Sequence, residues 1–296
     1  MATGVKASPQ LKSDYPRLAN YYLKYFGDVS ATELNNLKKW DLLILPNDYQ
    51  WIFPEFFNEY KKAKPDGLIL AYTYPAMVMS SNVNSLFRTV EAESLWLRDG
   101  DGAKIEMWPG LYAVSINNPK WQSANNQFLS QELDWHKWDG LMFDTVENSL
   151  ARFSQNGLDI NNDGRADSLA SADKWWQQGL VNLLAKSRES IGNDKLMIIN
   201  GSSLPDYQEK INGRMFETFP APWEGDGTWS ASMEQYLQQL PGQNYPPVLY
   251  IINANTNNTG KQDDYQKMRF GLTSTLLGDG YFSFDYGDQA HEQLWW

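Results

Sequence analysis

The chain has 296 residues, 42% of them hydrophobic, which is enough apolar material for one large α/β barrel or two ordinary domains. Its 25 basic and 36 acidic residues leave a net charge of −11, which excludes nucleic acid and anionic lipid as main partners. The absence of cysteine rules out disulfides and thiolate nucleophiles, and two histidines, His136 and His291, are too few for the metal-dependent hydrolase chemistry of barrels.

No apolar run is long enough to span a membrane. Met1-Ala2-Thr3-Gly4-Val5-Lys6 lacks the apolar core of a signal peptide and reads as the start of a mature, secreted chain whose signal has been removed. After this polar leader, Arg17 to Lys24 is the first expected strand. Ser30 caps a helix over Ala31–Trp40, with Glu33 completing a capping box. Asp41–Pro46 is the second strand, Pro54–Lys64 a helix, and Leu68–Tyr74 the third strand, each strand stopped by proline. A long insertion follows, holding a helix over Ser85–Leu95, a hairpin-like stretch over Leu97–Leu111 and a helix over Pro119–Leu133. Long decorated connections of this kind usually form part of a cleft wall.

Trp138-Asp139-Gly140-Leu141-Met142-Phe143-Asp144 is a turn that launches a short apolar run ending on a carboxylate, the pattern of a buried parallel strand. A helix over Ala172–Ile191, a fifth strand over Lys195–Asn200 and a sixth over Arg214–Phe219 come next. Then follow a helix over Ser230–Leu240, a seventh strand over Pro247–Asn253, a helix over Asp263–Leu277 and an eighth strand over Tyr281–Asp285. Eight apolar strands alternating with helices predict a single-domain (β/α)8 barrel over residues 1–296 with an insertion after strand three. No Gly-x-Gly-x-x-Gly follows the first strand, which argues against a dinucleotide fold. Leu294-Trp295-Trp296 comes too soon after the last strand for a full closing helix, so either the chain is truncated there or the last crossover is short and irregular.

The carboxyl ends of barrel strands carry catalytic residues, and two of these ends match: Met142-Phe143-Asp144 and Met215-Phe216-Glu217. Two carboxyl groups on rigid neighbouring strands suit glycoside hydrolysis, Asp144 as nucleophile and the longer Glu217 as general acid/base. The competing reading of either acid alone is a helix cap or an ion pair with a nearby Arg. Asp285, Asp48, Asn200, Tyr72 and Tyr74 are expected to hold substrate, and so are Trp108 and Trp223, because flat amphipathic rings stack on sugars. Glu147 and Glu106 suit hydrogen bonding or solvation better than proton transfer. Alternation allows only one of Tyr21 and Tyr22 to face the mouth.

Asp159-Ile160-Asn161-Asn162-Asp163-Gly164-Arg165-Ala166-Asp167 matches the first nine positions of an EF-hand-type calcium loop, with Asp159, Asn161, Asp163, the Arg165 carbonyl and Asp167 as ligands. Ala170 stands where the terminal carboxylate belongs, and Asp173 is the available substitute. This structural Ca2+ would stiffen the connection after strand four; no cofactor is expected for catalysis.

Arg17-Leu18-Ala19-Asn20-Tyr21-Tyr22, the Trp138–Asp144 run, Ile198-Ile199-Asn200-Gly201, Phe216-Glu217 and Gly280-Tyr281-Phe282-Ser283-Phe284-Asp285-Tyr286-Gly287 resemble a glycoside-hydrolase-like barrel family. That family is distantly similar to the endo-α-1,4-polygalactosaminidases and the wider α-galactosidase superfamily. The resemblance implies a (β/α)8 barrel and a retaining mechanism, with Asp144 at the strand-four nucleophile position and Glu217 at the strand-six acid/base position. Superfamily members often carry Asp at the second position, so Glu217 departs from the pattern. The expected function is hydrolysis of an α-linked oligosaccharide or polysaccharide by a monomer; the alternative is a non-catalytic carbohydrate-binding barrel.

Overall fold

The computed structural model describes residues 11–12, 14–25, 29–81, 84–202, 204–238, 244–288 and 291–295. The hexapeptide at the amino end, Leu240 and Trp296, all used in the sequence reading, lie outside them. Eight parallel strands form one sheet: Ala19–Tyr21, Leu42–Pro46, Leu68–Thr73, Gly140–Val146, Leu196–Gly201, Gly213–Phe216, Ile251–Asn255 and Tyr281–Asp285. Each pairs with its neighbours in chain order. The ends of the sheet meet where Leu18 bridges Phe282, whose N–H donates to the Arg17 carbonyl at 2.8 Å. The expected (β/α)8 barrel is therefore the fold.

Strand alternation divides the apolar residues into an inner and an outer core. Leu42, Ile44, Leu68, Leu70, Met142, Leu196, Ile198, Met215 and Ile251 pack inside the barrel. Leu43, Leu45, Ile69, Leu141, Phe143, Met197 and Ile199 face outward against the helices. Tyr21 joins the inner set and Tyr22 the outer, as the alternation required. At each strand's carboxyl end the next inward residue stands above this apolar plug, and there the polar side chains begin.

The helices follow the expected capping chemistry. Ser30 and Glu33 form a reciprocal capping box on Ala31–Leu37. Ser168 caps the long helix Leu169–Ile191, which starts three residues earlier than expected. The predicted Pro119–Leu133 helix changes to a π-helical turn over Phe128–Glu132. There Trp135 Nε1 donates to the Leu129 carbonyl and Gln50 Nε2 to that of Glu132, taking up carbonyls at the helix end. Strand seven is shifted to Ile251–Asn255, because Pro246 and Pro247 have no N–H for a ladder. Between strands five and six the crossover is a single turn, Pro205–Gln208.

The insertion after strand three builds a small antiparallel sheet from Met77–Met79, Leu111–Ala113 and Glu106–Trp108. A second pair joins Arg98–Asp99 to Leu158–Asp159, tying the insertion to the loop after strand four. No helix among the described residues is long and apolar enough to cross a membrane.

Gly201 sets the ends of strands four and five. The register between them shifts from Ile199 to Gly201, and Gly201 adopts φ +131 with the Val146 carbonyl oxygen 2.3 Å from where a Cβ would sit. Only glycine allows that approach. Gly201→Ala should cost about 1–3 kcal/mol in stability, read as a lower urea midpoint at unchanged m-value. An unchanged midpoint would show that these strand ends part without penalty.

Candidate active site

The barrel mouth opens into a cavity of ≈ 960 Å³. Its walls include Tyr21, Tyr72, Tyr74, Asp144, Asn200, Glu217 and His291, with Trp108 and Trp223 further out. The inward period places most of these directly: Asp144 stands two residues above Met142, Asn200 above Ile198, Glu217 above Met215 and Tyr72 above Leu70. Strands four, five and six are neighbours, so Asn200 lies between the two acids.

The carboxamide of Asn200 joins them. Its Nδ2 donates to Asp144 Oδ1 at 2.9 Å and to Glu217 Oε2 at 2.8 Å. Those two oxygens can be no farther apart than the two bonds laid end to end. Asp144 also accepts the Tyr72 hydroxyl on Oδ2 and the Thr145 N–H on Oδ1, the latter at 2.7 Å. Burial and the neighbouring Glu217 charge push the Asp144 carboxyl above its ordinary range, against the pull of these hydrogen bonds.

Both acids are followed by a threonine in the left-handed region, Thr145 at φ 56 and Thr218 at φ 57. That conformation is unfavourable for a β-branched residue. Each hydroxyl is held: Trp108 Nε1 donates to Thr145 Oγ1 at 3.2 Å, and Asn255 Nδ2 to Thr218 Oγ1 at 3.1 Å. The backbone thus turns sharply just after each carboxylate.

His291 has no counterpart in the sequence expectations. After strand eight the chain crosses back over the mouth, where the Leu23 N–H donates to the His291 carbonyl and Asn20 Nδ2 to that of Gln293. The imidazole is 7% exposed and stacks on Tyr21 with ring centroids 4.0 Å apart. Its Nε2 lies 3.0 Å from Glu217 Oε1 and its Nδ1 2.8 Å from Asp285 Oδ2. The available signal was slight: one of two histidines, six residues beyond a strand-end acid.

Other expected residues fall elsewhere. Asp285 is 2% exposed and lies behind His291, accepting from Asn253 Nδ2 at 3.1 Å, so it lines no part of the cavity. Asp48 stands at the N-cap position of Tyr49–Ile52 without a side-chain capping bond and borders a separate, smaller cavity. Burial raises its carboxyl. Trp108 is 44% exposed and Trp223 56%, both on the cavity wall. Glu147 also lines the cavity and pairs with Arg152, while Glu106 accepts the Gly110 N–H on the surface.

In the Asp159–Asp167 loop the side-chain oxygens turn onto the loop's own amides. Asp159 accepts the N–H groups of Asp163 and Gly164, Asn161 accepts that of Asp163, Asp163 that of Arg165, and Asp167 that of Ile160. Among the described residues no three acidic or histidine side chains converge on a point suited to a metal ion. These hydrogen bonds shape the turn.

Residues 69–296 match the sequence model of hypothetical glycosyl hydrolase family 15. The chain belongs to that family. No curated protein gives a significant sequence match. Among solved structures, an α-galactosidase from Lactobacillus brevis is similar with a TM-score of 0.58 at 13% identity, over 91% of this chain and 37% of the other. A GH36 α-galactosidase from Geobacillus stearothermophilus gives 0.57 at 10% identity over 91% and 39%, and a xylosidase from Aspergillus niger gives 0.52 at 12% over 92% and 44%. The chain thus spans roughly two fifths of the length of these neighbours, and at such identities they establish the shared barrel alone.

The raised Asp144 carboxyl has a consequence for stability. A carboxyl whose pKa is higher folded than unfolded weakens the fold once pH exceeds the unfolded value of about 3.9, and the penalty is complete above the folded value. Asp144→Asn should therefore raise Tm at pH 7, and the gain should vanish as pH falls below about 4. Scanning calorimetry across that range checks the sign; a lower Tm at pH 7 would mean that the hydrogen bonds outweigh burial.

Proposed function

We propose that this protein is a retaining glycosidase acting on an α-linked oligosaccharide or polysaccharide, with Asp144 as nucleophile and Glu217 as general acid/base. The observation that carries this reading is the Asn200 bridge. The Asp144 and Glu217 oxygens bonded to this one nitrogen lie closer together than the roughly 6.5–9.5 Å that an inverting enzyme leaves between its carboxyl groups for water, which supports the retaining arrangement of about 5–5.5 Å. Membership in a glycosyl hydrolase family and the α-galactosidase neighbours support the same chemistry. One neighbour, a Geobacillus stearothermophilus α-galactosidase, holds raffinose, an oligosaccharide.

In the first step an Asp144 oxygen attacks the anomeric carbon while Glu217 gives its proton to the departing glycosidic oxygen. The donors on Asp144 fix its rotamer and favour its ionised form, so little reorganisation is needed. In the second step Glu217 accepts a proton from water, whose oxygen displaces Asp144. A ≈ 960 Å³ cavity is at the upper end of small-molecule sites and has room for more than one sugar ring. Trp108 and Trp223 offer stacking faces near its rim.

The test combines turnover and stereochemistry on a panel of p-nitrophenyl α-glycosides and α-linked oligosaccharides. On α-linked oligosaccharides, Asp144→Asn and Glu217→Gln should each lower kcat/KM by about 10³-fold or more. Proton NMR of the initial product should show retained anomeric configuration. Near-wild-type activity of either variant on those oligosaccharides, or inverted product, would overturn the assignment. Binding without turnover by the wild-type protein across the panel would favour a non-catalytic barrel.

A further inference from the structure

Resting on the glycosidase reading, one difficulty concerns the second acid. A general acid must hold a proton when substrate arrives, yet Glu217 Oε1 sits 3.0 Å from an imidazole nitrogen. That imidazole is held on every side. Asp285 lies 2.8 Å from Nδ1, the Tyr21 ring packs against the imidazole at 4.0 Å between centroids, and the His291 and Gln293 carbonyls accept from the Leu23 N–H and Asn20 Nδ2. Asp285 is itself fixed by Asn253. A ring clamped this firmly, with one nitrogen aimed at the catalytic carboxylate, does more than fill space.

We propose that His291 is the proton partner of Glu217, storing the catalytic proton on Nε2 between turnovers and returning it to Glu217 Oε1 for transfer to the leaving oxygen. At rest the pair is imidazolium and carboxylate. As the glycosidic bond breaks, His291 passes its Nε2 proton to Glu217 while Glu217 delivers one to the leaving oxygen, which leaves Glu217 a carboxylate and His291 neutral with its remaining proton on Nδ1 against Asp285. When water attacks, Glu217 takes the water proton and passes it back to Nε2. One proton leaves with the alcohol and one enters from water, so the cycle closes. Asp285 fixes the tautomer and orientation, which makes it a positioning residue.

The electrostatics agree with this geometry. Burial by itself would push the His291 pKa down, but the hydrogen bonds and charges of Asp285 and Glu217 outweigh it and raise the value to about 10. The other titratable groups facing this region are Tyr21, pressed against the ring, Asp144 across the Asn200 bridge, and the adjacent Glu292 on the cavity wall. Protonation of His291 therefore persists through neutral pH and is lost only as pH rises towards about 10.

Two histidines make the direct test simple. With 15N-labelled histidine, His136→Gln assigns the two imidazole signals. His291 should stay doubly protonated at neutral pH and titrate well above it, and Glu217→Gln should lower its midpoint by about one pH unit or more. This measurement needs no substrate. Titration of His291 at or below neutral pH, or indifference to Glu217→Gln, would overturn the proposal.

The kinetic test uses His291→Gln. It should lower kcat by about 10²-fold on α-linked oligosaccharides, whose leaving groups need a proton, with KM changed by less than about threefold. The loss should be much smaller on p-nitrophenyl glycosides, and the alkaline limb of the rate profile should move towards acid. Asp285→Asn should act in the same direction, because it loses the anionic acceptor that fixes the Nδ1 tautomer. If Asp144→Asn and Glu217→Gln remain active, the glycosidase reading itself fails. If those two are inactive while His291→Gln keeps the wild-type leaving-group dependence and alkaline limb, the reading stands and the proton partnership falls.

Discussion

Two carboxylates facing one cavity repel each other. At about 5 Å, with an effective dielectric near 20, the repulsion is about 3 kcal/mol, comparable to a sizeable fraction of the net stability of a domain. The Asn200 carboxamide opposes it by giving one N–H to each acid. A neutral double donor suits this position, because a lysine or arginine would form a tight ion pair and quench both acids, and an apolar residue would leave them apart or protonated. The cationic charge is instead placed one step outward, on His291, where it meets Glu217 and Asp285 but not Asp144.

The barrel supplies what a single amide cannot. Asn200 reaches both acids only because strand five runs between strands four and six and because Gly201 lets its end press against Val146. Beneath the acids, Met142, Ile198 and Met215 close the barrel interior with apolar side chains. Water cannot approach the carboxylates from below, and burial raises the Asp144 carboxyl accordingly. The polar layer at the mouth is thus the last step of the same alternation that builds the core.

That alternation explains how much could be read without coordinates. Strands two, three, four and eight were bounded to within a residue or two because an apolar run between a turn and a proline or acid has few other interpretations. The placing of Asp144, Asn200, Tyr72 and Glu217 at strand tips follows from the same period of two. Asp285 shows where the rule stops: being last on a strand does not say whether a side chain meets the cavity or is covered by a later segment. His291 was out of reach for that reason, since the tail that carries it has no periodicity and takes its place through tertiary contacts to Asn20, Leu23, Glu217 and Asp285. At the loop around Asp159 the alternate oxygens that suit a cation also accept the loop's own amides, so the turn and the ligand pattern draw on the same residues.

The paired threonines just after the acids carry a consequence for anyone selecting hardier versions of this protein. Thr145 and Thr218 occupy backbone conformations that glycine or asparagine would adopt at lower cost. A heat-based selection that ignores catalysis should drift towards those replacements, loosening the anchors to Trp108 and Asn255. Durability and precision would then trade against each other at the two positions that follow the acids, and a laboratory lineage that has lost both threonines should be the sturdier and the slower one.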